Sequence, residues 1–253
     1  MSTALRRAPH DLAAAFQFLT RLPVPQPAFD GGTLARAVKF FPLVGAAIGI
    51  GAALLHRLLL PHLGGNVTAW SIVLYLVLVT GCLHEDALAD VADSFGAWTR
   101  ERRLEIMRDS RIGSYGAAAL VLSLVGRLLL IQALPARHFG GYMIAAQLLC
   151  RWSTLPLSYV LPAARTGQNA GQGSRIAQLT SGTALAVGSL FSALVTVLVL
   201  KRAAIAPLLL VPAVTASCGM IFLRRLGGVT GDCFGATSQI TEIAVYLCGV
   251  WAA

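Results

Sequence analysis

The chain has 253 residues, 56% of them hydrophobic and 12% charged. Soluble domains carry roughly 25% charged residues, so a water-soluble globule and a disordered chain are both excluded. The net charge of +9 does not indicate nucleic acid, because most arginines lie between apolar runs, where basic residues set membrane topology. They form no basic patch on a soluble module.

A spanning helix needs about 20 mainly apolar residues, and the chain holds seven candidates. These are residues 40–62, 68–83, 115–134, 140–161, 182–200, 203–223 and 237–252. Ahead of them, residues 11–22 predict an amphipathic helix lying on the membrane surface. Asp11 is a candidate cap for it, and Pro23, Pro25 and Pro27 are expected to end it. Asp11 and Gln17 interrupt the apolar run, which argues against a signal peptide. Lys201 and Arg202 alone separate the fifth and sixth spans and predict a tight hairpin. The loop 163–181, rich in Gly, Gln, Ser and Thr, reads as a mobile connection. The expected fold is therefore all-α. It is a polytopic helical bundle of about seven transmembrane helices plus the N-terminal helix, forming one membrane-embedded catalytic domain over 1–253.

Orientation follows from the basic residues. With the N-terminus in the cytoplasm, fourteen of the twenty Lys and Arg fall on the inside and three, Arg137, Lys201 and Arg202, on the outside. That bias predicts N-in and C-out. Arg57, Arg127 and Arg151 fall within spans. The five cysteines form no CxxC pair and are widely spaced, so neither a disulfide framework nor a zinc site is indicated.

The acids are the informative residues. Seven of the 11 lie between positions 85 and 109: Glu85, Asp86, Asp90, Asp93, Glu101, Glu105 and Asp109. Asp86, Asp90 and Asp93 stand at i, i+4 and i+7, one face of a helix. Three carboxylates on one stripe repel unless a cation sits among them. Mg²⁺ takes one or two carboxylates plus substrate phosphates. Glu101, Glu105 and Asp109 make a second stripe at i, i+4 and i+8, which reads equally well as an ion-paired surface helix. The nearby Arg100, Arg102, Arg103, Arg108 and Arg111 are candidates for bidentate phosphate contacts. Gly113 and Gly116, which bracket Ser114 and Tyr115, are candidates for backbone approach to an anion at a helix start. A distant segment, residues 226–246, adds Asp232 among Gly227, Gly228, Gly231 and Gly235, followed by Gln239 and Glu242. The orientation above brings Asp232 to the same cytoplasmic face. Together these residues suggest a metal-dependent phosphotransferase in the membrane.

The strings FLTRLPVP (18–25), FPLVGAAIG (41–49), LHEDALADVADSFGA (83–97), RRLEIMRDSRIGSYG (102–116) and GGVTGDCFGATSQITE (227–242) resemble the cobalamin synthase family, the adenosylcobinamide-GDP ribazoletransferases. The order and spacing cover nearly the whole chain. The resemblance implies that adenosylcobinamide-GDP reacts with α-ribazole or its 5′-phosphate, giving adenosylcobalamin or its 5′-phosphate and GMP. It implies Mg²⁺, a multi-pass bacterial inner-membrane protein with its active site facing the cytoplasm, and association with other cobalamin-assembly enzymes. The family pattern places metal ligands at Asp86, Asp90 and Asp93, supported by Asp232. Arg108, Asp109, Ser110 and Arg111 match its second motif. Arg102, Arg103, Ser110, Gly113, Gly228, Gly231, Gln239 and Glu242 are the expected substrate-binding residues. Asp109, Arg108, Arg111 and His84 are the expected catalytic group. Cys82 stands where a small residue, often Gly, is usual.

Asp109, His84 and Glu242 are candidate general bases, with none assigned. Two rivals remain open. One is a phosphotransferase using a CDP-linked donor, although its usual Asp-Gly and Ala-Arg pattern is absent. The other is a cation or solute transporter, favoured by Arg127 and Arg151 and disfavoured by spans poor in acids near the midplane.

Overall fold

The computed structural model describes residues 3–24, 32–165 and 171–252. Pro25 and Pro27, expected to end the first helix, lie outside them, as does part of the loop 163–181. The described residues form twelve α-helices. They are α1 (Thr3–Leu19), α2 (Thr33–Ala37), α3 (Phe41–Thr80), α4 (Leu83–Ser94), α5 (Arg100–Ile106), α6 (Ser114–Ala133), α7 (Phe139–Trp152), α8 (Thr154–Val160), α9 (Gln172–Leu179), α10 (Gly182–Leu200), α11 (Ile205–Leu226) and α12 (Gly231–Trp251). Three stretches are long and apolar enough to cross a membrane: Thr33–Thr80, Ser114–Ala133 and Gly182–Leu226.

The first and third stretches both break. Gly64 has φ 67 and ψ 172, outside the helical region, and divides α3. The Tyr75 hydroxyl then donates to the Ile48 carbonyl at 3.3 Å, 27 residues away. A straight helix would separate those residues by about 40 Å, so α3 folds back on itself. Gly64 supplies this bend because only a residue without a Cβ adopts that backbone freely. Likewise a short 3₁₀ turn, Lys201–Ala204, with Lys201 at φ 53, joins α10 to α11, and forms the hairpin the sequence predicts.

Close helix approach relies on small residues, the usual device in a membrane. Gly45 and Gly49, four apart, press α3 onto α7. A Cβ at Gly45 would collide with the Gln147 carbonyl oxygen, and one at Gly49 would lie 2.6 Å from Ile144 Cα. Gly235 of α12 does the same against Ala87 of α4.

Four local expectations change. The N-terminal helix runs from Thr3 to Leu19, so Asp11 is mid-helix and caps nothing. Asp11 is buried and pairs with Arg36 at 3.3 Å and Lys39 at 3.7 Å. Ala14, Ala15 and Leu19 join the protein core, so this helix packs on protein as well as facing outward. The loop 163–181 contains helix α9. The second acidic stripe does not form, because α5 ends at Ile106 and Asp109 lies beyond it. Residues 140–161 form two helices, α7 and α8, meeting at Ser153.

Candidate active site

The site is built around α4. Gly81 and Cys82 both adopt left-handed backbone, φ 63 and 61, which ends α3 and turns the chain into α4. Cys82 holds a conformation that costs an L-residue roughly 1–2 kcal/mol and that Gly would adopt freely. Helix α4 then packs against α6 and α12. It carries Asp86 and Asp90 towards Asp232, which lies in the first turn of α12.

Three segments distant in sequence meet here. Ala164 donates to the Val229 carbonyl and Val229 to the Pro162 carbonyl, each at 2.9 Å. Gly228, at φ 154, is required because a Cβ would collide with the Pro162 oxygen. Arginines of α5 tie these loops down. Arg100 donates to the Ala164 carbonyl at 3.1 Å, and the buried Arg103 to the Arg225 carbonyl at 3.3 Å. These bonds set Arg165 beside the acidic cluster. Arg165 itself donates to the Leu104 carbonyl at 2.8 Å.

Two cavities adjoin α4, and Asp86 lines both. The first, of about 260 Å³, is bordered by His84, Asp86, Arg151, Arg165, Gly231 and Asp232, among others. The second, of about 280 Å³, is bordered by Glu85, Asp86, Asp90, Ser110 and Arg111, with Leu120 and Leu124 on an apolar side.

The electrostatics are those of crowded acids. Burial, then the neighbouring Asp86, Asp232 and Asp93, push Asp90 up to about 7. Burial also raises Asp232, against the opposing pull of Arg165. Burial lowers Arg165, the carboxylate of Asp232 offsetting part of this. The donors are hard carboxylate oxygens, the type that Mg²⁺ accepts. Among the described residues, no three His, Cys, Asp or Glu side chains are gathered tightly enough to hold a metal alone. The set therefore fits an ion completed by substrate phosphates, since Mg²⁺ is usually held by one or two carboxylates.

Asp93 faces a different task. Its two oxygens accept the Gly113 and Gly116 amides, each at 2.8 Å, and so cap α6. A carboxylate at a helix N-terminus is stabilised by the helix dipole. Gly113 and Gly116 are both needed, since a Cβ at either would meet the Asp93 carboxylate.

The second motif is arranged on the surface. Asp109 and Arg111 form a bidentate pair, the shortest contact being 2.6 Å. Hydrogen bonds from Arg111 draw Asp109 down to about 2. Arg102 pairs with Glu105 at 3.0 Å, both side chains exposed.

Gln239 and Glu242 point into the bundle rather than to the loops. Arg127, 1% exposed, bonds Glu85 at 2.7 Å and lies 3.6 Å from Glu242. Gln239 donates to Glu85 at 3.1 Å and accepts from Ser123 at 3.0 Å. The Tyr246 hydroxyl donates to Glu242 at 3.0 Å and accepts from Gln147 at 3.1 Å. Gln147 in turn accepts from Arg151 at 2.7 Å. This chain of polar groups runs from the first cavity into the bundle. Sequence reasoning noticed Arg127 and Arg151 only as intramembrane charges and overlooked Arg165. Periodicity carries no sign of these partners, which come from other helices.

Helix and loop geometry thus joins His84, Asp86, Asp90, Asp232, Ser110, Arg111 and Gly231 around two adjoining cavities. Arg102, Arg103, Gly113, Gly228, Gln239 and Glu242 support the surrounding structure.

The same segments are matched elsewhere. The model of the cobalamin-5-phosphate synthase family matches residues 11–250. An adenosylcobinamide-GDP ribazoletransferase of Azorhizobium caulinodans is 44% identical, covering 95% of this chain and 94% of that protein. One of Sinorhizobium medicae is 42% identical, covering 96% and 97%. One of Vibrio cholerae is 36% identical, covering 98% and 95%. No solved structure matches. With nearly its whole length matched, this chain belongs to the cobalamin-5-phosphate synthase family.

Proposed function

We propose that the protein transfers the corrinoid phosphoryl group of adenosylcobinamide-GDP to α-ribazole or its 5′-phosphate. The products are adenosylcobalamin or its 5′-phosphate, and GMP. The observation that carries this is the meeting of Asp86, Asp90 and Asp232 between two cavities, in a chain whose relatives bear that name. A two-substrate transferase needs two approaches to one reacting phosphorus, and Asp86 borders both.

In the proposed reaction a ribose hydroxyl of α-ribazole forms a new bond to the phosphorus on the corrinoid arm. The bond from that phosphorus to the bridging oxygen breaks, and the oxygen leaves with GMP. The hydroxyl proton passes to solvent. Asp86, Asp90 and Asp232 would supply the one or two carboxylates that hold Mg²⁺, Asp93 being committed to the Gly113 and Gly116 amides. When bound, the ion neutralises phosphate charge. The chain's own residues position the two substrates on either side of α4 and exclude water through the apolar walls of Leu120 and Leu124.

We assign no general base. Asp109 is drawn down to about 2 and committed to Arg111. Glu242 is engaged with Tyr246 and Arg127. His84 borders the first cavity, but burial, then Arg151 and Arg127, hold it well below its ordinary range. Phosphoryl transfer proceeds largely by positioning and electrostatics, so this set is sufficient.

The site faces the cytoplasm of a bacterial inner membrane in this reading, with the N-terminus inside. The whole chain acts as one catalytic unit, and other cobalamin-assembly enzymes associate with it. Purified protein supplied with adenosylcobinamide-GDP, or with a CDP-linked alcohol donor, each with its acceptor and Mg²⁺, tests the assignment. Release of GMP together with a cobalamin product is expected. Release of CMP without GMP would reject the assignment in favour of the rival phosphotransferase.

A further inference from the structure

The sequence draws attention to Arg100, Arg102, Arg103, Arg108 and Arg111 as phosphate ligands. The structure commits four of them elsewhere: Arg100 to the Ala164 carbonyl, Arg102 to Glu105, Arg103 to the Arg225 carbonyl and Arg111 to Asp109. Two other arginines border the first cavity together with Asp86 and Asp232. They are Arg151 of α7 and Arg165, in the segment between α8 and α9.

Both guanidiniums are incompletely satisfied. Arg151 is 3% exposed. Its Nη1 donates to the Gln147 carbonyl at 3.0 Å, to Gln147 Oε1 at 2.7 Å and to Cys150 Sγ at 3.2 Å, yet its Nε has no partner. Arg165 donates from Nη2 to the Leu104 carbonyl, and its buried Nε also has no partner. Among the described residues, neither lies within 4.0 Å of a carboxylate, whereas Arg127 has Glu85 and Glu242. A buried charge such as Arg151, with no carboxylate at contact distance among the described residues, is unfavourable, and an anion in the cavity would supply a counter-charge; Arg165 has the more distant Asp232. Guanidinium is the side chain best suited to a phosphate oxygen pair. Gly231, at the start of the 21-residue helix α12, borders the same cavity, so helix-end amides add to the same preference.

We infer that Arg151 and Arg165 clamp the diphosphate of the nucleotide donor in this cavity, leaving the Asp90 cavity to the acceptor. The clamp presupposes the nucleotide-donor reading above. The carboxylates of Asp86 and Asp232 share the cavity, so the diphosphate enters with its divalent cation.

The test uses the full-length protein in detergent with Mg²⁺ and GDP as the probe. GDP binding is measured by calorimetry, and donor and acceptor KM values are measured in the transfer assay. Arg165→Gln is expected to weaken GDP binding at least ten-fold and to raise the donor KM, with the acceptor KM within two-fold of wild type. Arg151→Lys keeps the charge in a buried position and loses the paired donors, and the same split is expected. Melting curves restrict the comparison to variants that fold as wild type does. Should Arg151→Lys fail that check, Arg165→Lys takes its place, with the same expectation.

Folded variants that bind GDP as wild type does would overturn the clamp while leaving the transferase reading intact, provided wild type forms cobalamin. Arginine-dependent GDP binding by a wild-type protein that forms no cobalamin would support the clamp and reject that reading. No GDP binding by wild type would overturn the clamp.

Discussion

Asp93 shows how one residue type serves different ends along a single helix face. The i, i+4, i+7 spacing identifies Asp86, Asp90 and Asp93 as equivalent, and α4 does place them on one side. What distinguishes them is the loop that returns twenty residues later and delivers the Gly113 and Gly116 amides to Asp93. Spacing within a helix cannot carry that information. Gly116→Ala is therefore expected to disturb Asp93 and the start of α6, because the new Cβ collides with the carboxylate and lies 3.0 Å from the Ala89 carbonyl. Overpacking of this kind costs roughly 1–3 kcal/mol. The melting temperature in detergent should fall, whereas Gly126→Ala, where a Cβ meets nothing within 4 Å, should hold or raise it, since Ala favours a helix interior over Gly. An equal melting temperature for Gly116→Ala would contradict the capping role.

Among elements, the long apolar stretches Thr33–Thr80, Ser114–Ala133 and Gly182–Leu226 were legible from hydropathy, and so was the hairpin at Lys201 and Arg202. Their partners were less so. The Gly45 and Gly49 pair lies in the string FPLVGAAIG, where spacing by four marks a packing face, but nothing in it names α7 as the helix it meets. The polar chain through Glu85, Arg127, Gln239 and Glu242 joins α4, α6 and α12, and it explains why Arg127 sits inside a span. Removing one partner from a buried pair typically costs about 3–5 kcal/mol. Arg127→Leu is expected to lower the melting temperature strongly, since it strands Glu85 and Glu242. Adding Glu85→Gln and Glu242→Gln to that variant should recover part of the loss. A single Arg127→Leu variant that melts like wild type would show that the network contributes nothing to stability.

At the scale of the whole molecule, three segments assigned by charge to one membrane face are in direct contact. The α5 segment reaches residues 164 and 225, and residue 164 pairs with 229. These contacts gather the three segments at one end of the molecule. The loops' contents were harder to read, because α9 lies in a stretch whose composition resembles a flexible connection. If the chain makes the seven passes expected from its sequence, with the N-terminus inside, the C-terminus lies outside. A reporter fused after Ala253 should be active in the periplasm, and a cytoplasmic signal would mean that one pass has been miscounted.

In the proposed reaction the Asp86, Asp90 and Asp232 cluster supports a cation-dependent transfer that releases GMP. Its most direct test is the rate of GMP release from adenosylcobinamide-GDP and α-ribazole as Mg²⁺ is titrated, for wild type beside Asp86→Asn and Asp90→Asn. Wild type should be inactive without the ion and saturate with it. Both variants, inserted and folded, should lose at least a hundred-fold in rate, equivalent to about 2.7 kcal/mol of barrier. Wild-type turnover by either variant at low Mg²⁺ would contradict the assignment.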